Sequence, residues 1–171
     1  VDLLASRGID LAGMERVPGK TFFWAGVYSQ DMNDRTTLVT DLNVFADFNP
    51  KLPEHYKTQP YALLGNIQPG LQHSVRSQMD GVKLIGGDTM NFWMENAMDD
   101  LKETIGMVDA LLINDSEARQ LSNEFSLVKA AKKILTMGPK YLIIKKGEHG
   151  ALLFHGNDVF FAPALPLEDV F

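Results

Sequence analysis

Cysteine is absent from all 171 residues, which excludes disulfides, zinc thiolate sites and cysteine nucleophiles. That absence suits a reducing cytoplasm. Histidine is sparse as well: His55, His73, His149 and His155 are scattered, without the spacing of a histidine metal site. No apolar run approaches the roughly 18 residues that span a bilayer, and Val1 opens no basic and apolar leader, so no membrane partner is expected. Basic residues are in deficit, 16 Lys+Arg against 22 Asp+Glu, for a formal net charge of −6. They gather into no patch that could track a phosphate backbone, which makes nucleic acid a poor partner. A nucleotide-sized anion is still compatible, because backbone N–H groups at helix N-termini bind phosphate in acidic proteins too.

What is present is an ordinary globular balance, 45% hydrophobic and 22% charged, in a chain long enough for one compact domain. Residues 1–19 read as the end of a helix, a strand entry at Arg7-Gly8-Ile9-Asp10 and a turn at Val17-Pro18-Gly19. Residues 21–28 and 36–40 are aromatic and β-branched, with polar residues 30–35 between them, and predict a long-tipped β-hairpin outside any main sheet. From Tyr61 a new rhythm begins. Short apolar strands at 61–65, 82–85, 110–113 and 141–144 alternate with helices at 71–79, 94–105, 116–121 and 127–137. Continuously apolar strands between amphipathic helices imply parallel βαβ units, hence an α/β fold with a doubly wound, mostly parallel sheet and helices on both faces.

The helix after Ser126 shows a Ser N-cap, apolar Val128, Ala131, Ile134 and Leu135, and a Gly138-Pro139 stop. A second hairpin follows, 151–155 and 159–162 around Gly156-Asn157-Asp158. The organisation expected is therefore 1–48, the end of a preceding element plus the first hairpin, and 49–171, an incomplete α/β nucleotide-binding core. Opening on Val1 rather than Met and stopping at the apolar Val170-Phe171, the chain reads as truncated at both ends.

Three motifs stand just past predicted parallel strands, where open α/β sheets bind ligands. Asn114-Asp115-Ser116-Glu117 opens a helix, and its amide and carboxylate could orient a hydrated Mg²⁺ and through it a phosphate. The same residues also spell a capping box, which needs no ligand. Lys145-Lys146-Gly147-Glu148-His149-Gly150 could place a lysine at nucleotide phosphates and pass bare backbone beside them, or be an ordinary glycine turn. Asp88-Thr89-Met90-Asn91 either joins the same edge or is an N-cap and turn, and the adjoining Phe92 and Trp93 read as core.

In their order these motifs resemble the ribokinase-like (PfkB) carbohydrate kinases, which carry an Asp-x-Asn-type turn, an Asn-x-x-Glu motif and a Gly-x-x-Gly nucleotide turn. The resemblance covers most of the chain. It implies ATP and Mg²⁺ as cofactors, with Asn114 and Glu117 holding the ion and phosphate through water, Lys145, Gly147 and Gly150 bordering ATP, and Asp88 and Asn91 near the phosphates. The first hairpin would be the small β lid over a sugar or nucleoside acceptor, and a surface through which a homodimer could form. The family's Gly-Ala-Gly-Asp segment, whose last Asp is the catalytic base, would follow Pro163-Ala164-Leu165-Pro166-Leu167, but the chain stops at Phe171. The family's N-terminal Gly-Gly acceptor-binding segment is missing too. The reaction implied is transfer of the ATP γ-phosphoryl group to a hydroxyl, with no catalytic residue in this chain and no useful activity from these residues alone. The alternative is a non-catalytic α/β binding or interaction module in which Asn114 and Glu117 only cap a helix. A dinucleotide enzyme fits less well, since no Gly-x-Gly-x-x-Gly follows the early strands.

Overall fold

The computed structural model describes residues 1–30, 35–166 and 168. Most of the predicted hairpin tip (31–34) and positions 167 and 169–171 of the C-terminal stretch lie outside the described residues. The chain divides into two compact units, Val1–Pro53 with Glu168–Phe171, and Glu54–Leu167. Among the described residues no helix is long and apolar enough to cross a membrane.

The first unit begins with α1 (Asp2–Ser6). The strand entry expected at residues 7–10 is instead a helix ending. Gly8 takes φ +75°, its N–H donates to the Ala5 carbonyl, and the Ile9 N–H reaches back to Leu4, which together form a Schellman motif. Strands β1 (Phe23–Tyr28) and β2 (Arg35–Asp41) then pair antiparallel, from Phe23 opposite Asp41 to Tyr28 opposite Arg35. They form a sheet of their own, as the sequence implied. A register shift falls between Ala25 and Gly26, where the Trp24 ring lies so close to Gly26 that a Cβ there would meet it at 2.5 Å.

The second unit runs α2 (Glu54–Lys57), β3 (Tyr61–Leu64), α3 (Pro69–Ser77), β4 (Leu84–Asp88), α4 (Asn91–Asn96), α5 (Met98–Met107), β5 (Ala110–Asn114), α6 (Asp115–Ser122), α7 (Leu127–Leu135), β6 (Tyr141–Lys145), β7 (Ala151–His155) and β8 (Asp158–Ala162). Its six strands lie in chain order, β3 to β6 parallel and β7 and β8 antiparallel. This is the mostly parallel α/β sheet expected. Right-handed crossovers between strands laid down in one direction carry successive helices to the same face. Where the sequence implied cover on both faces, this unit supplies it on one, and Tyr61, Leu63 and Leu84 on the sheet are exposed.

Three local expectations change. The strand placed at 82–85 runs instead from Leu84 through Gly86 and Gly87 to Asp88. The glycines are strand residues at points of close approach, since a Cβ on either would stand 3.0 Å from the Leu63 or Val108 side chain. The helix expected at 94–105 is two helices, α4 and α5, broken at Ala97, whose φ −151° and ψ 43° are not helical. Ser126 does precede α7 but its side chain makes no capping bond, and Val128 is exposed while Ala130, Ala131 and Ile134 are buried.

The main core joins Leu101 and Ile105 of α5, Ala118 and Leu121 of α6, and Ala131 and Ile134 of α7 to Leu111, Ile113, Leu142 and Ile144 of the sheet. At the opposite edge from the motifs, Asp109 ties three strand starts together. One carboxylate oxygen accepts from the Ile85 N–H at 3.0 Å and the other from Lys140 Nζ at 2.9 Å. Its backbone N–H donates to Ile85, and its carbonyl receives the N–H groups of Lys140 and Tyr141. The Lys140 ammonium, bonded to this carboxylate, holds the carboxyl below its ordinary 3.8; burial opposes the shift and the Ile85 N–H adds to it.

Because the folded-state pKa is depressed, the stabilisation is present above the unfolded value and is lost as pH falls through the folded one. Asp109→Asn should therefore lower stability at pH 7 by about 1 kcal/mol and flatten the loss of stability below about pH 4. Urea denaturation across pH checks this, and an unchanged acid slope would contradict it.

Candidate functional site

A parallel sheet leaves its last carbonyls and side chains together along one edge, and here that edge gathers the motifs. Asn114 ends β5 directly opposite Lys145 at the end of β6, and Asp88 ends β4 opposite Leu112. The Asp88 carboxylate lies 3.6 Å from Lys145 Nζ, both groups partly exposed. Such a pair is worth about 0–1 kcal/mol. It is a placement more than a clamp.

Asn114 and Glu117 complete the capping box of α6. The Glu117 N–H donates to Asn114 Oδ1 and the Asn114 N–H to Glu117 Oε2, each at 2.7 Å. Glu117 is only 4% exposed. The bland reading of the motif is thus realised in full, at a helix N-terminus whose dipole favours anions.

Gly147 and Gly150 take φ +55° and +83° in the short turn between β6 and β7, closed by bonds from Lys146 N–H to Gly150 and from Gly150 N–H to Gly147. A Cβ on Gly150 would lie 2.0 Å from the Ala162 carbonyl and 2.8 Å from the Ala164 N, so only glycine lets the turn pass beneath residues 162–164.

Asn91 is the first residue of α4, and its amide donates to Gln120 Oε1 on α6, within a surface network that continues to Glu95. Met90 holds the N-cap position without a side-chain bond, so neither Asp88 nor Thr89 caps this helix. Trp93 packs on the core as expected, but Phe92 is 49% exposed and lies edge-on to it. The reason is helical geometry: adjacent residues point about 100° apart, so one core-facing neighbour turns the other outward.

Sequence reasoning missed Gln72, Asn66 and the indole of Trp93. Gln72 Nε2 donates to the carbonyls of Gly65 and Asp88, and Trp93 Nε1 donates to Asn66 Oδ1, so two side chains stitch the ends of β3 and β4. The one available signal was a glutamine among the inward positions of α3.

Among the described residues no group of three or more His, Cys, Asp or Glu could hold a metal directly. The hard oxygen donors at the edge, Glu117 and Asn114, suit an ion that keeps its water, as Mg²⁺ does. A groove of about 650 Å³ in the first unit is lined by Met14, Phe22, Phe45, Asp47 and Phe48 among others, and by none of the motif residues.

Two substitutions separate backbone from side-chain roles. Gly150→Ala should cost about 1–3 kcal/mol, because strain and contact both oppose it, whereas Glu117→Ala should cost about 1 kcal/mol as a lost cap. Thermal or urea unfolding measures both, and a neutral Gly150→Ala would show that the turn has room.

The pattern of the pfkB family carbohydrate kinases matches residues 1–171. A cytidine kinase of Thermococcus kodakarensis is 24% identical over 163 residues, covering 94% of this chain and 58% of its own. The nucleoside kinase of Burkholderia thailandensis solved with inosine superposes with a TM-score of 0.75 at 19% identity, over 99% of this chain and 55% of that one. The same enzyme has been solved in complex with ADP-inosine, at a TM-score of 0.71, 18% identity and 99% and 52% coverage. The ribokinase of Thermotoga maritima gives 0.72 at 22% identity, with 99% and 57% coverage. The chain thus spans little more than half the length of these relatives. Matched from its first residue to its last, it belongs to the pfkB family of carbohydrate kinases.

Proposed function

We propose that the protein carrying this chain transfers the γ-phosphoryl group of ATP to a hydroxyl of a sugar or nucleoside. The observation that carries the reading is the convergence of Asp88, Asn114 and Lys145 on one sheet edge, in a chain of this family. A nucleoside acceptor has the cytidine kinase relative and the inosine-bound neighbour in its favour.

In this reading the acceptor oxygen attacks the γ-phosphorus, the bond to the β-phosphate oxygen breaks, and ADP leaves. Such transfers depend on positioning and on neutralising charge. Lys145 supplies a positive charge to the phosphates, and Gly147 and Gly150 leave the backbone bare beside the nucleotide. Glu117 and Asn114 would hold Mg²⁺ through water, and the ion, when bound, offsets the charge of the phosphate oxygens. Asp88 stands beside Lys145 as a weak partner that the phosphates can replace. Asn91, proposed to lie near the phosphates, has its amide bonded to Gln120 on α6. No residue of this chain is assigned the acceptor's proton. The hairpin β1–β2 is assigned as the lid.

The rival, a non-catalytic binding module, has the closed capping box in its favour. Phosphorylation of a nucleoside or sugar by the intact wild-type protein decides between them, its absence favouring the module, and Glu117→Gln then asks whether Glu117 does more than cap, since glutamine can still complete the box. In the intact protein we expect stability to change by less than about 0.5 kcal/mol, while ATP-dependent turnover falls about tenfold or more and its Mg²⁺ requirement weakens. A coupled ADP assay at graded Mg²⁺ reads the outcome. Turnover and metal dependence that both stay at the wild-type level would return Glu117 to a cap.

A further inference from the structure

Gln72 is 2% exposed on α3, and nothing in the three motifs accounts for it. Its Nε2 donates at 2.8 Å to the Gly65 carbonyl and at 2.9 Å to that of Asp88, with the Leu64 carbonyl a longer third at 3.4 Å. The last ladder pair of β3 and β4 is Leu64 with Gly87, so these carbonyls stand at the point where the sheet stops supplying partners. One carboxamide closes both strand ends.

The held residues lead on to the edge. Asp88, whose carbonyl Gln72 fixes, faces Lys145 with its carboxylate. Asn66, next after Gly65, accepts from Trp93 Nε1 at 2.9 Å, a second stitch between the same two loops. Yet Gln72 Oε1 and the hydroxyl of Thr89, itself 4% exposed, are buried with no hydrogen-bond partner among the described residues. Buried unpaired polar atoms are rare, and an apolar residue at position 72 would avoid one of them. What favours glutamine here is its donor pair, which only the strand ends use.

We propose that Gln72 is a positioning residue for nucleotide binding: its carboxamide fixes the backbone at Asp88 and so sets where the carboxylate, and Lys145 beside it, stand at the phosphate edge. The inference rests on the kinase reading of this edge. It reaches beyond that reading in assigning a role to a residue outside every motif and in predicting a coupling between positions 72 and 88.

The test is a double-mutant cycle in the intact protein. Gln72→Met keeps the length and removes both donors. We expect it to raise KM for ATP up to about fivefold while KM for the acceptor stays unchanged. In an Asp88→Asn background the same substitution should change KM for ATP little, because the two act in one chain of contacts. Should Gln72→Met not fold, Gln72→Asn, which withdraws the same donors by one methylene and adds no charge, carries the same comparison. A lowered melting temperature with unchanged KM for ATP, or an equal loss in both backgrounds, would make Gln72 a structural clamp and overturn the proposal. A wild-type protein that phosphorylates neither nucleosides nor sugars would sink the kinase reading first, and this inference with it.

Discussion

Asp109 is the constraint on which the rest of the sheet depends. Parallel strands have no hairpin to set their register, and a slip by one residue would exchange the buried and exposed faces. Here the starts of β4, β5 and β6 are pinned to one residue: its carboxylate takes the Ile85 N–H and Lys140, and its backbone bonds Ile85, Lys140 and Tyr141. The consequence appears five residues later. Asn114 and Lys145 finish opposite one another, and Lys145 comes within reach of Asp88 two strands away. Strand β6 is thus bracketed by Lys140 and Lys145, each facing an aspartate, one pair setting register and the other lying at the candidate site.

How much of this could be read from the sequence depended on how local the cause was. The strands at Tyr61–Leu64, Ala110–Asn114 and Tyr141–Lys145 were legible because unbroken apolar runs of that length have few alternatives. Strand β4 was displaced because Gly86 and Gly87 look like a turn, and only the packing of Leu63 and Val108 against them shows why a strand needs glycine there. The break at Ala97 has no sequence signal, since alanine is the strongest helix former. A comparable approach joins Gly106 and Gly138, where a Cβ on the second would sit 2.7 Å from the Cα of the first. In the sequence Gly138 reads only as a helix stop.

The candidate site divides in the same way. Asn114, Glu117, Gly147 and Gly150 could be named because a helix cap and a glycine turn use fixed spacings along the chain. Gln72 could not. Its partners at Gly65 and Asp88 are 7 and 16 residues distant, and no spacing rule links a glutamine to carbonyls that become neighbours only when the sheet forms. Asn91 lies between these cases: its place at a helix start was legible, whereas its bond to Gln120 depends on how α4 meets α6.

The capping box and the proposed ion site are not competing explanations of Glu117. A carboxylate held at 2.7 Å by a backbone N–H and almost fully buried has little rotamer freedom left to lose. Preorganisation of that kind lowers the entropic cost of ordering a hydrated cation beside it. Lys145 shows the opposite economy. Its pairing with Asp88 at 3.6 Å is partly exposed and weak, so arriving phosphates can recruit the ammonium without breaking anything that the fold needs. The edge therefore sets a fixed carboxylate beside a readily redirected cation, and the proposed site for a metal-bound polyphosphate would use both.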